Sequence, residues 1–319
     1  MLDQVKQLGF NLLRIPICNQ HLIADVGINS PNFTLNPDLR NLSSLQALDK
    51  IVAYSGSIGL RILLDRHSAK ADNFWYEPLW YIPGDNYYTD SRFIADWVML
   101  AVRYRGTAVI GADLWNEPKD VGNLAATWGT GNVNTDWDLA AQRAGNAILA
   151  VNPDWLIIIE GTSYDTWWGG NLKGVEKYPV VLNVSNKVVY SPHEYCQDVV
   201  DVPWLNDASF PDNLRPRWDS FFGYVFRTQT APLLIGEFGT KFAYPKSQVW
   251  LQKLLNYMDG QLETDGKSSL TTGQQGMSWT YWCLNPNSGD TGGILNDDWV
   301  TIDTKKMNFL TPQLAPLLP

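Results

Sequence analysis

Seven short runs rich in Ile, Leu and Val recur along the 319 residues, and each gives way to a longer stretch of helical periodicity. The runs are FNLLRIPI (10–17), RILLDRH (61–67), VIGADLW (109–115), WLIIIEG (155–161), VVYSPHEY (188–195), LLIGEFG (233–239) and GMSWTYWC (276–283). Near-continuous apolar runs belong to strands buried on both faces, and alternation with helices makes such strands parallel. The intervening stretches carry helix punctuation. SSLQALDKIVAYSGSIG opens on a Ser cap and ends in Gly, TDSRFIADWVMLAVRYRG opens on Thr, and TDWDLAAQRAGNAILAVNP opens on Thr and stops at Pro. RWDSFFGYVFRTQ and SQVWLQKLLNYMDG read the same way.

The runs start 33 to 51 residues apart over the whole chain. That regularity predicts one α/β domain, residues 1–319, of the (β/α)8 TIM-barrel type, with no separate carbohydrate-binding module. A doubly wound open sheet is the alternative. It would carry a Gly-rich phosphate turn after an early strand, and no GxGxxG or Walker pattern follows any run.

The opening MLDQVKQLGF reads as a helix, with Leu2, Val5 and Leu8 at helical spacing and Gly9 suited to a C-cap. It has neither a basic n-region nor a long apolar h-region, so no signal peptide is expected. The chain is therefore expected to start in the first barrel helix, with the first barrel strand absent. Seven strands leave two edges open, which favours a homodimer covering the gap, or a helix or loop packed into it.

The formal charge of −9 disfavours nucleic acid as a partner. No apolar stretch is long enough for a membrane span. Three His and three Cys (Cys18, Cys196, Cys283), without CxxC spacing, make a zinc site improbable, and no metal or cofactor is expected. Asn296, Asp297 and Asp298 form an acidic cluster, read as a solvated turn because calcium-loop spacing is absent. The 15 Trp and 14 Tyr supply flat apolar faces for a large core or for stacking ligand rings.

Polar residues gather where the runs end: Arg14, then Asp65, Arg66 and His67, then Asn116 and Glu117, Glu160, His193 and Tyr195, Glu237, and Trp282. In a barrel these ends converge on one face. Two glutamates there suit glycoside hydrolysis, in which one carboxylic acid protonates the leaving oxygen and a carboxylate attacks the sugar or activates water. Glu117 and Glu237 stand in NEP and GEFG, where Pro and Gly fix the backbone. Glu160 reads as a loop acid or a support residue, and Arg14 as a buried ion-pair partner. His193 and Tyr195, two apart on a strand, share a face.

RIP (14–16), LDRH (64–67), NEP (116–118), HEY (193–195), GEFG (236–239) and Trp282, in this order, resemble the signature of glycoside hydrolase family 5. WWGGN (167–171) and NPNSGDTGGILNDDW (285–299) resemble loops of its bacterial endo-β-1,4-glucanases. The resemblance implies a retaining enzyme acting on β-1,4-glucan outside the cell. Glu117 would be the acid/base and Glu237 the nucleophile, with Asn116 on the sugar 2-hydroxyl. Tyr195 and Arg14 would hold Glu237, His193 would sit by Glu117, and His67 would contact the sugar in the −1 site. Trp282 would form a stacking floor. Trp168 is a candidate second platform, and Asp290 either binds a sugar hydroxyl or serves a polar turn. Action on mannan, xylan or mixed-linkage glucan, or an inactive carbohydrate-binding relative, are the alternatives. The segment FWYEPLWYIPGDNYY (74–88) is longer than the resemblance leads one to expect. It either extends the cleft or covers another surface.

Overall fold

A computed structural model of the chain describes residues 1–22, 26–28, 31–262 and 266–315. In chain order the principal elements are α1 (Leu2–Gln7), β1 (Leu12–Cys18), α2 (Ser44–Ser57), β2 (Arg61–Ser68), α3 (Asp90–Arg103), β3 (Val109–Asp113), β4 (Asp120–Val121), β5 (Leu124–Ala125), α4 (Trp137–Val151) and β6 (Leu156–Glu160). They continue with β7 (Val188–Ser191), α5 (Leu214–Trp218), α6 (Tyr224–Arg227), β8 (Leu234–Ile235), α7 (Pro245–Asp259), β9 (Ser278–Trp279) and α8 (Thr304–Leu310). All seven anticipated strands form. The short antiparallel pair β4–β5 was not anticipated. The chain divides into two compact units.

The first unit comprises Asn11–Ile159 with Val180–Lys187. Its parallel sheet runs β1-β2-β3-β6, and Ile62, Leu63, Leu64, Ala112, Ile157 and Ile158 in it are buried. The helices around it follow their sequence signals. Ser43 caps α2 in a reciprocal capping box with Gln46, and Thr89 Oγ1 accepts the Arg92 N–H at the start of α3. At α4 the N-cap is Asp136, one residue past the expected Thr135, and its carboxylate is engaged elsewhere. It accepts Thr127 Oγ1, Thr130 Oγ1 and the Gly131 N–H, so it ties down the preceding loop instead of capping.

Register decides what the strand ends carry. Asp65 on β2 pairs with Pro16 on β1 and with Asp113 on β3. Partners in a parallel ladder point to the same side, so two buried carboxylates stand next to each other.

Of the described residues, the second unit comprises Met1–Phe10, Glu160–Pro179 and Val188–Ala315. Residues 2–7 are helical, as the opening sequence predicts; Val5 is buried, Gln4 Nε2 donates to the Val300 carbonyl, and Phe10 meets Trp279 edge-on. β8 and β9 pair in parallel, and single bridges at Tyr190–Leu233 and His193–Glu237 join the β7 segment to the β8 segment. These ladders are short because polar and glycine residues enter the runs early. Gly236 is required there. A Cβ at this position would lie 2.3 Å from Ser191 Oγ and 3.1 Å from His193 Nε2. The stretch read as a helix over RWDSFFGYVFRTQ forms, but α5 and α6 are joined by a π-helical turn at Asp219–Gly223. α7 starts at Pro245 after Tyr244, not at a Ser cap, and ends at Gly260 in the left-handed region.

Gly111, inside β3, is the tightest test of this packing in the first unit. A Cβ there would meet the Leu156 carbonyl oxygen at 2.6 Å, and backbone cannot move aside as a side chain can. Gly111→Ala is expected to lower stability by about 1–3 kcal/mol, the usual cost of overpacking, read from chemical denaturation. An unchanged midpoint would show that the β3–β6 approach is looser than described.

Candidate active site

In the first unit the site is built on Arg14. Its Nε lies 2.7 Å from Asp113 Oδ2 and its Nη1 3.1 Å from Asp65 Oδ2, with both carboxylates fully buried. Its Nη2 donates to Asn116 Oδ1 at 2.8 Å. A guanidinium has no acceptor, so the Asn116 oxygen must face it and the amide nitrogen must face away. That Nδ2 is buried and makes no hydrogen bond within the described residues. It is a donor held ready for something else. Asp65 Oδ2 also lies 2.8 Å from His67 Nδ1, which fixes the imidazole tautomer and turns Nε2 outward. Sequence reading found Arg14, His67 and Asn116 but missed Asp113. The available signal was an acid inside a buried apolar run.

Arg66, between Asp65 and His67, points to the other side of the strand. Its guanidinium sits 4.6 Å from the ring centres of both Phe93 and Trp115, and burial pulls its pKa down to about 9. It is a packing cation, not a site residue.

Glu117 is 8% exposed and has φ of +51°. A non-glycine residue in the left-handed region costs on the order of 1–3 kcal/mol, so the surroundings must enforce it. They do so from both sides. The Asn116 N–H donates to the Arg66 carbonyl at 3.0 Å, and the Lys119 N–H donates to the Pro78 carbonyl at 3.3 Å. Lys119 is fully buried, and its Nζ donates to the Phe74 carbonyl.

The second unit places Glu237, His193, Tyr195 and Glu160 together. Tyr195 Oη donates to Glu237 Oε2 at 2.6 Å, and His193 Nδ1 lies 3.5 Å from the same oxygen. On the other side of the imidazole, His193 Nε2 lies 3.2 Å from Glu160 Oε1. Glu160 is fully buried, so it is a support residue for His193 and not a solvated loop acid. The Glu194 N–H donates to the Glu237 carbonyl at 3.0 Å, locking the two segments in register. Further along, Asp198 accepts Cys196 Sγ, Thr240 Oγ1 and the Ala243 N–H, which fastens the loop that follows Glu237.

Trp282 and Trp168 are both half-buried. The Trp282 N–H donates to Phe238 O at 2.9 Å, and Gly239 has no room for a Cβ because the Trp282 carbonyl occupies it. Trp168 rides on the 161–171 loop, closed by paired Thr162–Asn171 backbone bonds. Asp290 Oδ1 accepts Ser288 Oγ and the Thr291 N–H, so this carboxylate serves its own turn. The same loop is tethered by Lys306, whose Nζ donates to the Thr291 and Gly293 carbonyls. Asp298 likewise accepts the Val300 and Thr301 N–H groups and Thr301 Oγ1, the polar turn read from sequence. All three cysteines are free and buried, and burial raises each thiol, Cys196 to about 12 and Cys283 to about 11. Such thiols are unreactive.

Glu194 was missed by sequence reading. Strand alternation sends it away from His193 and Tyr195 into a cage of Trp167, Trp218 and Trp250, where Trp250 Nε1 donates to Oε1 at 3.3 Å. Burial pushes its pKa up to about 7, against the lowering pull of the three indoles and Arg217.

The chain matches the family model "Cellulase (glycosyl hydrolase family 5)" over residues 1–288. It is 45% identical to an endoglucanase of Paenibacillus polymyxa, an alignment covering all of this chain and 77% of that protein. It is 38% identical to the major extracellular endoglucanase of Xanthomonas campestris, covering 97% of this chain and 61% of that one. Among solved structures it resembles the endocellulase of Pyrococcus horikoshii in complex with cellotetraose, at 40% identity and a TM-score of 0.87, covering 99% of this chain and 85% of that chain. The likeness gives the fold class: α/β, of the (β/α)8 TIM-barrel type.

Two outcomes follow from these charges. Arg14→Met strips the guanidinium from two buried carboxylates and is expected to cost about 3–5 kcal/mol. Adding Asp113→Asn is expected to recover part of that loss in a double-mutant cycle; strict additivity would refute the coupling. Glu194 has a folded pKa above its ordinary 4.5, so its favourable share is complete below about 4.5 and is lost as pH rises through about 7. The melting temperature of the native protein should therefore fall relative to Glu194→Gln between pH 5 and pH 8, and parallel curves would contradict the assignment.

Proposed function

Because the chain belongs to glycosyl hydrolase family 5, we propose that it is an endo-β-1,4-glucanase that hydrolyses β-1,4-glucan with retention, by double displacement. The observation that carries the reading is the hold on Glu237, one of whose oxygens is engaged by a tyrosine hydroxyl and an imidazole on the neighbouring segment. Glu117 protonates the glycosidic oxygen as that bond breaks, and the leaving glucan departs from a covalent glycosyl-enzyme. Glu117 then takes a proton from water, which attacks the anomeric carbon and restores Glu237.

The remaining residues bind and orient. The Asn116 amide nitrogen, turned away from Arg14, donates to the sugar 2-hydroxyl, a contact that strengthens in the transition state. His67, set by Asp65, presents Nε2 to the −1 sugar, and the family resemblance assigns His193 to supporting Glu117. Trp282 is the stacking floor and Trp168 a second platform, with Asp290 shaping the loop beside them. The family resemblance assigns Arg14 to holding Glu237, and within its own unit Arg14 orients Asn116.

The reading treats both compact units as one catalytic domain, acting outside the cell as the name of the Xanthomonas relative implies for that protein, and as a homodimer. No described helix is long and apolar enough to cross a membrane.

On carboxymethyl cellulose, Glu117→Gln and Glu237→Gln are each expected to lower kcat by about 10²–10⁴-fold or more, the range for loss of a positioned acid or base. Proton NMR of the first product should show the β-anomer. Near-native activity in either variant removes that residue from its role, and an α-product removes the retaining mechanism. Parallel assays on glucomannan and xylan decide the glycan.

A further inference from the structure

Glu194 holds two things at once in the second unit. Its backbone N–H donates to the Glu237 carbonyl at 3.0 Å, so it fixes the main chain of the proposed nucleophile. Its side chain turns away from His193 and Tyr195 and is buried among indoles from three separate elements: Trp167 on the 161–171 loop, Trp218 on α5 and Trp250 on α7. Trp250 Nε1 donates to Oε1 at 3.3 Å. Trp167 Nε1 and Trp218 Nε1 are buried and make no hydrogen bond of ordinary geometry among the described residues, yet both favour the charged form of Glu194. An indole N–H can only donate, and a carboxylate can accept about four such bonds. The Glu194 carboxylate is therefore the acceptor that these donors address, and Arg217 is the charged group that draws on it.

One of those indoles leads back to Glu237. The Trp167 ring meets the Tyr195 ring edge-on, with centroids 6.0 Å apart and planes 78° apart. Tyr195 Oη in turn donates to Glu237 Oε2 at 2.6 Å. Trp167 also meets Trp204 edge-on at 5.8 Å, and the Arg217 guanidinium lies 3.7 Å from the centre of the Trp204 ring. The loop that carries Trp167 packs closely on the HEY segment. A Cβ at Gly170 would lie 3.1 Å from the Trp167 carbonyl oxygen and 3.2 Å from the His193 carbonyl oxygen. A tyrosine hydroxyl aims a carboxylate only while its own ring is held, and Trp167 borders that ring. A leucine at position 194 would avoid the cost of burying a carboxyl group, but it would offer the indole no directional bond.

We propose that Glu194 is a positioning residue for the nucleophile: by anchoring the Trp167 indole it keeps Tyr195 Oη on Glu237. The proposal rests on the glucanase reading, so one of its two readouts needs no substrate. In protein carrying tyrosine labelled with ¹³C at Cζ, the Tyr195 resonance, assigned by its loss in Tyr195→Phe, reports the hydrogen bond of the phenol. Glu194→Leu should shift this resonance, and Glu194→Gln, which keeps an acceptor oxygen, should shift it less. On carboxymethyl cellulose Glu194→Leu should lower kcat by about 10-fold or more with KM unchanged, because a misplaced nucleophile is felt in the transition state. Glu194→Gln should recover part of that loss. In the Tyr195→Phe background Glu194→Leu should have no further effect on kcat. Circular dichroism confirms that each variant is folded; should Glu194→Leu not fold, Trp167→Phe, which removes the N–H and keeps a ring, carries the same expectations. An unmoved Tyr195 resonance, a native kcat in Glu194→Leu, or losses that multiply in the double variant each overturn the proposal. If the resonance shifts as expected but the native protein hydrolyses no glucan, the glucanase reading fails while the positioning of Tyr195 stands.

Discussion

One ion cluster constrains the first unit more than any other interaction. The register of three parallel strands brings Asp65 and Asp113 side by side at fully buried positions, and two such carboxylates repel strongly at low dielectric. Arg14 makes the arrangement tenable. Its planar fork reaches Asp113 through Nε, Asp65 through Nη1 and Asn116 through Nη2, which a lysine ammonium could not do with fixed geometry. Everything useful nearby inherits its orientation from this cluster: the imidazole of His67 through Asp65, and the outward amide nitrogen of Asn116 through the guanidinium. A buried ion pair is weak evidence for stability. Here its value is positional.

The same device recurs at a smaller scale in the loops. Glu77 gathers three donors to close the turn behind Phe74–Tyr76, Asp198 gathers three for the loop after Glu237, and Lys306 supplies two bonds to the loop after β9. Loops at strand ends cannot rely on ladder hydrogen bonds, and a single buried charge that satisfies several backbone groups gives comparable rigidity. The loops thereby hold aromatic and acidic side chains in fixed places without burying them.

Much of this was legible in the sequence because strand patterns and strand ends are local signals. The seven runs, the helical opening and the caps at Ser43 and Thr89 all depend on neighbours within a few residues. What failed to show depends on register or on alternation. Asp113 looked like the interior of a strand, since nothing local says that Asp65 stands beside it. Glu194 was masked inside HEY by the flanking His193 and Tyr195, although period-two alternation already placed it on the opposite face. Asp136 displaced Thr135 as the α4 cap because its carboxylate was drawn to Thr127, Thr130 and Gly131, a choice that tertiary context makes.

The backbone at Glu117 shows why an apolar strand should stop where it does. Had β3 simply continued, residue 117 would take extended angles and its side chain would alternate into the helix layer or the lumen according to parity alone. A φ of +51° breaks that parity and aims the carboxyl independently of the ladder. The strain is of order 1–3 kcal/mol. It is offset by the Asn116 bond to Arg66, by the Lys119 N–H on Pro78 and by the Lys119 ammonium on Phe74. Pro118, which cannot donate to a ladder, removes any competing strand extension. The acid is thus not appended to the strand; the strand ends so that the acid can be aimed, and the residues on either side of it are committed to holding that angle.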